Sequence, residues 1–92
     1  MDLLTEEQIT DRLVGLSGWE RQDDSIVRVA KLADFKAAML YVGAIAYLAE
    51  AANHHPDIGI AWNKVTLTLS THSAGGLTSK DFDLAGQISA LG

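Results

Sequence analysis

The chain has 92 residues, no cysteine and a net charge of -5, since 12 Asp and Glu residues outnumber 7 Lys and Arg residues. This length fits a single domain over residues 1-92, and a hydrophobic fraction of 48% places the chain outside the range of intrinsically disordered proteins. The acidic balance argues against direct nucleic-acid binding, and the lack of cysteine excludes disulfides, thiolate metal sites and thiol nucleophiles.

The N-terminal segment lacks the basic start and apolar middle of a secretory signal, so we expect a cytoplasmic protein. The longest uncharged apolar run, residues 37–49, has 13 residues. Crossing a bilayer takes about 20 such residues. We therefore expect no membrane span.

The first third of the chain predicts a helix followed by a β-hairpin. Residues 5–8, Thr-Glu-Glu-Gln, form a capping box that starts the helix, and apolar residues at helical spacing continue to about Leu16. Residues 19–21 and 26–29 are rich in strand formers and flank the polar residues 22–25. This arrangement is typical of a hairpin.

A long apolar helix is predicted next. Asp34 is placed to cap a helix over residues 35–52, which Asn53 and Pro56 close. Only two residues of this helix are charged, and one sheet cannot cover an apolar helix on both sides. We predict that its second face packs on another subunit, in a homodimer or homotetramer. The alternative is an Ala-rich face that is tolerated in water.

The last third predicts two further strands and a helix. Residues 57–62 and 64–71 form extended segments, and residues 64–70 alternate apolar and polar side chains as a half-buried strand does. Thr78 then caps a final helix, with Asp81 at the capping-box position. The order α-β-β-α-β-β-α predicts an α+β fold with a four-stranded antiparallel sheet and helices packed on one face.

The three histidines are the main candidates for chemistry. His54 and His55 precede Pro56, which keeps its neighbour out of the helical region, so the two imidazoles should project differently from an irregular turn. His72 ends the alternating strand. Glu50 lies four residues before His54 and would share its helical face if the helix reached that far, where it could orient the imidazole.

Each candidate also has a structural interpretation. The adjacent histidines could close the helix C-terminus, where a cation meets the negative end of the dipole, and His72 could be a solvated turn residue. Glu50 and Asp81 could be helix-end acids, and Trp19 could be a core residue. A further alternative is a metal site, because three imidazoles with Asp81 or Glu50 could ligate zinc.

The joint spacing of these residues resembles the signature of the pterin-4a-carbinolamine dehydratase family. That spacing is Glu50-x3-His54-His55-Pro56-x5-Trp62-x9-His72-x8-Asp81. Residues 16–19, Leu-Ser-Gly-Trp, are similar to the family's early Gly-Trp strand start, and residues 70–78 are similar to its Thr-His and Gly-Gly-Leu-Thr segments. The resemblance covers nearly the whole chain.

The resemblance implies an enzyme that removes water from 4a-hydroxytetrahydropterin to give quinonoid dihydropterin in tetrahydropterin recycling. The pterin is then the substrate, and neither a metal nor a cofactor is expected. Histidine suits the reaction, because an imidazole gives and takes protons near neutral pH. Members in animals also act as dimerisation partners of a homeodomain transcription factor, so a non-catalytic interaction module of the same fold is the alternative.

The resemblance also implies two sets of site residues. The set expected to be catalytic comprises His54, His55 and His72. The set expected to bind substrate comprises Glu50, Asp81, Pro56 and Trp19. Within the first set, His54 and His72 are expected to transfer protons, and His55 is expected to hold the pterin.

Overall fold

Three helices and four strands follow one another in the predicted order in a computed structural model that describes residues 2–92. The elements are α1 (Glu6–Val14), β1 (Trp19–Gln22), β2 (Ser25–Lys31), α2 (Phe35–Ala52), β3 (Asp57–Ala61), β4 (Lys64–Leu69) and α3 (Ser79–Ser89), with a 3-10 turn at His72–Ala74 before α3. The predicted α+β class and element order are confirmed. The predicted strand over 57–62 ends at Ala61, because Trp62 turns the chain with a φ of 54°.

The four strands form one antiparallel sheet in the order β1-β2-β4-β3, so β4 is central beside β2, and β1 and β3 are the edges. Val65, Leu67 and Leu69 of β4 are fully buried, whereas the threonines between them keep partial exposure. This confirms the predicted alternation. The buried side of β4 joins residues of all three helices in a single hydrophobic core.

Helix α2 begins and ends where the sequence predicts. Asp34 Oδ1 accepts the Ala37 N–H at 2.8 Å and so satisfies one of the free amides of the first turn. Ala38, Ile45 and Ala49 point into the core. Large apolar side chains on the opposite side, including Leu40 and Tyr47, are exposed.

By length and composition alone, α2 could cross a membrane, since its 18 residues have a mean hydropathy of 1.3. The helix is longer than the uncharged run in the sequence because it includes Lys36 and Glu50, one near each end. One side of α2, however, is buried against the protein core through Ala38, Ile45 and Ala49. This side of α2 is therefore part of the folded domain.

Candidate active site

The turn after α2 determines where the two adjacent histidines point. Asn53 adopts a left-handed conformation (φ 50°, ψ 44°), its N–H donates to Glu50 O at 3.1 Å, and the His54 N–H donates to Ala49 O at 3.0 Å. This pair of bonds is the Schellman motif, which ends a helix and turns the chain away from the helix axis. Asparagine is one of the few residues other than glycine that visits this conformation readily.

A buried carboxylate lies opposite this turn. Asp81, the third residue of α3, is 0% exposed. Its Oδ2 accepts the Thr78 N–H at 2.9 Å and the Thr71 hydroxyl at 2.9 Å, and its Oδ1 lies 2.6 Å from His54 Nε2. Three donors satisfy a buried carboxylate that would otherwise be costly to remove from water. The Thr71 hydroxyl in turn accepts from Thr78 Oγ1 at 2.8 Å.

This network assigns the protonation of the His54 ring. An ionised carboxylate can only accept hydrogen bonds, so the Nε2 atom of His54 carries the proton that it shares with Asp81. The His54 side chain is 10% exposed, and its other nitrogen, Nδ1, has no hydrogen-bond partner among residues 2–92. In the neutral ring, Nδ1 is therefore the free acceptor.

The second histidine of the pair has a different environment. His55 Nε2 lies 3.2 Å from Glu50 Oε1, with side-chain exposures of 56% and 80%. The sequence suggested that Glu50 would contact His54. The structure corrects this, because the left-handed Asn53 ends the helix and takes His54 off the Glu50 face. An exposed pair of this kind contributes little to stability.

All three histidines border one cavity of about 390 Å³, a volume within the range of about 300–1,000 Å³ usual for small-molecule pockets. It is lined by Asn53, His54, His55, Ser70, Thr71, His72, Ser73 and Lys80. His72 reaches the cavity from the tight turn after β4. The Thr71 N–H donates to Gly76 O at 2.9 Å across the base of that turn.

The other residues expected to bind substrate do not line this cavity. Asp81 lies behind His54, and Glu50 contacts His55 from outside. Pro56 is half-buried in the turn. Trp19 lies in the core, and its indole N–H donates to Ser89 Oγ at 2.9 Å, which agrees with the structural interpretation of this residue.

Sequence reasoning missed several lining residues that carry no strong signal on their own. Asn53 was assigned only to helix closure, although an asparagine directly before two histidines at a helix end is placed to redirect them. Thr71 precedes His72 and belongs to the Asp81 network. Lys80 is a cation in the first turn of a helix, where the dipole disfavours positive charge.

The described part of the chain contains no group of side chains that fits the alternative of a metal site. Within residues 2–92, no group of three or more His, Asp or Glu side chains is arranged to hold a metal ion. The carboxylate nearest to His54 already accepts three hydrogen bonds from the protein.

The fold and the site define a class of small α+β proteins in which one polar cavity is lined by imidazoles backed by carboxylates. Comparison with known proteins agrees with this class and identifies the family. The model of the Pterin 4 alpha carbinolamine dehydratase family matches residues 2–91. The chain belongs to this family.

Relatives and solved structures agree with the assignment. A protein of Roseiflexus castenholzii is 55% identical over 97% of this chain and 96% of its own length, and one of Nocardia farcinica is 52% identical over 98% and 95%. Both carry the provisional name pterin-4-alpha-carbinolamine dehydratase. A crystal structure from Brucella melitensis, described as a transcriptional coactivator/pterin dehydratase, has a TM-score of 0.94 at 36% identity and covers 98% of both chains.

Proposed function

We propose that the protein removes water from 4a-hydroxytetrahydropterin and releases quinonoid dihydropterin, by histidine acid–base catalysis that uses neither a metal nor a cofactor. In a cell this activity would support tetrahydropterin recycling, and we propose a cytoplasmic location for it. The observation that carries the proposal is the contact of 2.6 Å between His54 and the buried Asp81, at a cavity that His55 and His72 also border.

The reaction needs two proton transfers. The bond from C4a to the hydroxyl oxygen breaks as the N5 lone pair forms the C4a=N5 double bond. The departing oxygen takes one proton and leaves as water, and N5 loses its proton to a base. An enzyme therefore needs one acid near the hydroxyl on C4a and one base near the adjacent N5, each contributing typically about 10²–10⁴-fold.

We assign these tasks to His54 and His72. The free Nδ1 of His54 can take a proton, and the Asp81 carboxylate then stabilises the imidazolium that forms. His72 borders the same cavity from a different element and can exchange the second proton. His55, which is exposed and paired with Glu50, is assigned to holding the pterin.

A direct assay tests this function. Freshly generated 4a-hydroxytetrahydropterin loses water spontaneously, and the absorbance of the dihydropterin product follows the reaction. We expect the protein to accelerate the loss in proportion to its concentration, and treatment with a chelator should leave the rate unchanged. A rate equal to the spontaneous one at all protein concentrations would contradict the proposal.

A second role is favoured by the exposed apolar side of α2, where Leu40 and Tyr47 lie in water in the isolated chain. We propose that this face joins copies of the chain into a homodimer or homotetramer. It is also the surface that a non-catalytic interaction module would use. Analytical ultracentrifugation of the wild type and of Leu40→Asp tests the proposed oligomer. The variant should sediment as a smaller species with its fold retained.

A further inference from the structure

Among the described residues 2–92, Lys80 is the one with a permanent charge that lines the histidine cavity. The other lining side chains in this part of the chain are amide, hydroxyl or imidazole groups, and none of them is a carboxylate. The two neighbouring carboxylates are already engaged, Glu50 with His55 and Asp81 with His54. The charged side chain that the described residues place on the cavity wall itself is therefore a cation, in a protein whose net charge is -5.

The position of Lys80 is unfavourable for the stability of the fold itself. It is the second residue of α3, in the first turn, where the helix dipole disfavours a cation. It is half-buried, and none of the three ion pairs in the described part of the chain includes it. Local choices that oppose stability are typical of functional positions.

We propose that Lys80 is a specificity residue that binds an anionic group on the side chain of the pterin, a phosphate monoester or a carboxylate. This inference rests on the proposed function and names its substrate class. The ammonium group supplies donors for a charge-assisted hydrogen bond to an anionic group. The imidazoles then act on the pterin ring, and Lys80 binds the anionic group of the pterin side chain.

The chain offers a matched control for Lys80. Lys36 is also the second residue of a helix, α2, and is exposed, but it does not line the cavity. Lys36→Gln therefore removes the same charge from the same helix position without changing the cavity wall. Lys80→Arg is the conservative variant, because it keeps the positive charge.

The test measures binding by titration calorimetry, which does not depend on turnover. The probes are three 7,8-dihydropterins whose side chains end in a hydroxyl, a phosphate monoester or a carboxylate. We expect the wild type and Lys36→Gln to bind at least one anionic probe about tenfold or more tightly than the hydroxyl probe. Lys80→Gln should reduce that ratio to about one, and Lys80→Arg should retain most of it.

The outcomes separate this inference from the proposed function. Equal affinity of the wild type for all three probes, or a ratio that survives in Lys80→Gln, overturns the role of Lys80 while the dehydration proposal stands. Tight binding of an anionic probe without any dehydration supports the role of Lys80 and overturns the reaction. The carboxylate and phosphate arms show which anionic group the site takes. Circular dichroism and thermal melting confirm that each variant is folded.

Discussion

The two adjacent histidines of the turn after α2 are each paired with a carboxylate, but the two pairs have opposite environments. The His54 and Asp81 side chains are 10% and 0% exposed, and the carboxylate is fixed by two further donors from Thr71 and Thr78. The His55 and Glu50 side chains are 56% and 80% exposed, and they form a single contact of 3.2 Å. Burial and a satisfied network pre-organise one imidazole, whereas water competes for the other.

His54 and His55 are adjacent in the sequence, but this does not give them equal roles. One left-handed residue, Asn53, sends neighbouring side chains into different surroundings. The buried pair is suited to proton transfer for two reasons. Hydrogen bonds fix its geometry, and the Asp81 carboxylate stabilises the positive charge that His54 gains when it takes a proton. The exposed pair is suited to contact with a ligand at the cavity edge. The predictions below test the difference between the pairs and the elements that produce it.

The largest expected effect is on turnover. His54→Ala should lower kcat for pterin dehydration by about 10²–10⁴-fold, since it removes a positioned acid–base group. His55→Ala should mainly raise KM and leave kcat close to the wild-type value, because it removes a binding contact. Steady-state kinetics on both variants checks the contrast. Equal losses of kcat in both would mean that the two imidazoles share the same task.

The carboxylates should differ in their effect on stability. Asp81→Ala leaves three donors without their acceptor in a buried site, so the free energy of unfolding should fall by about 2 kcal/mol or more. Glu50→Gln changes an exposed side chain and should stay within about 0.5 kcal/mol of the wild type. Urea unfolding at pH 7 measures both values. A comparable loss in Glu50→Gln would refute the assigned contrast.

The left-handed turn should be sensitive to the residue at position 53. Asn53→Ala should lower the free energy of unfolding by about 1 kcal/mol, because alanine lacks the short polar side chain that lets asparagine tolerate the left-handed conformation at a φ of 50°. Asn53→Gly removes the strain and should be close to neutral. Thermal unfolding compares the two variants. Equal stability of the alanine and glycine variants would show that the backbone conformation at this position carries no cost.

An effect on stability similar to that at Asn53, and none on substrate binding, is expected at Trp19. Trp19→Phe keeps an aromatic ring in the core and loses the hydrogen bond to Ser89, at a cost of about 0.5–1.5 kcal/mol in the free energy of unfolding. Because the indole does not line the cavity, KM for the pterin should not change. Denaturation and kinetics measured on the same preparation check both parts. A raised KM at unchanged stability would instead support the substrate contact that the sequence suggested.

The elements could be predicted from local signals in the sequence. Asp34 at the start of α2 and Thr78 with Asp81 at the start of α3 are capping patterns, and the seven alternating residues of β4 show directly which of its faces is buried. The histidines were found because His54 and His55 follow α2 directly in the sequence and because His72 completes a family spacing with them. Such signals depend on neighbours within a few residues.

The partners within the site could not be predicted in the same way. The contact between His54 and Asp81 spans 27 residues and depends on the packing of α2 against α3. The helical spacing suggested a contact between Glu50 and His54. The left-handed Asn53 ends the helix before His54, and Glu50 contacts His55 instead. Trp19 is buried next to Ser89, which lies 70 residues later in the chain and accepts its indole N–H. Tertiary packing determines each of these outcomes.

The central claim is that Asp81 holds the His54 ring with Nε2 protonated and Nδ1 free to accept a proton. Nitrogen-15 NMR of the histidine rings measures this tautomer directly. We predict that neutral His54 carries its proton on Nε2 and that this preference weakens in Asp81→Asn. A neutral His54 protonated on Nδ1 in the wild type would contradict the claim.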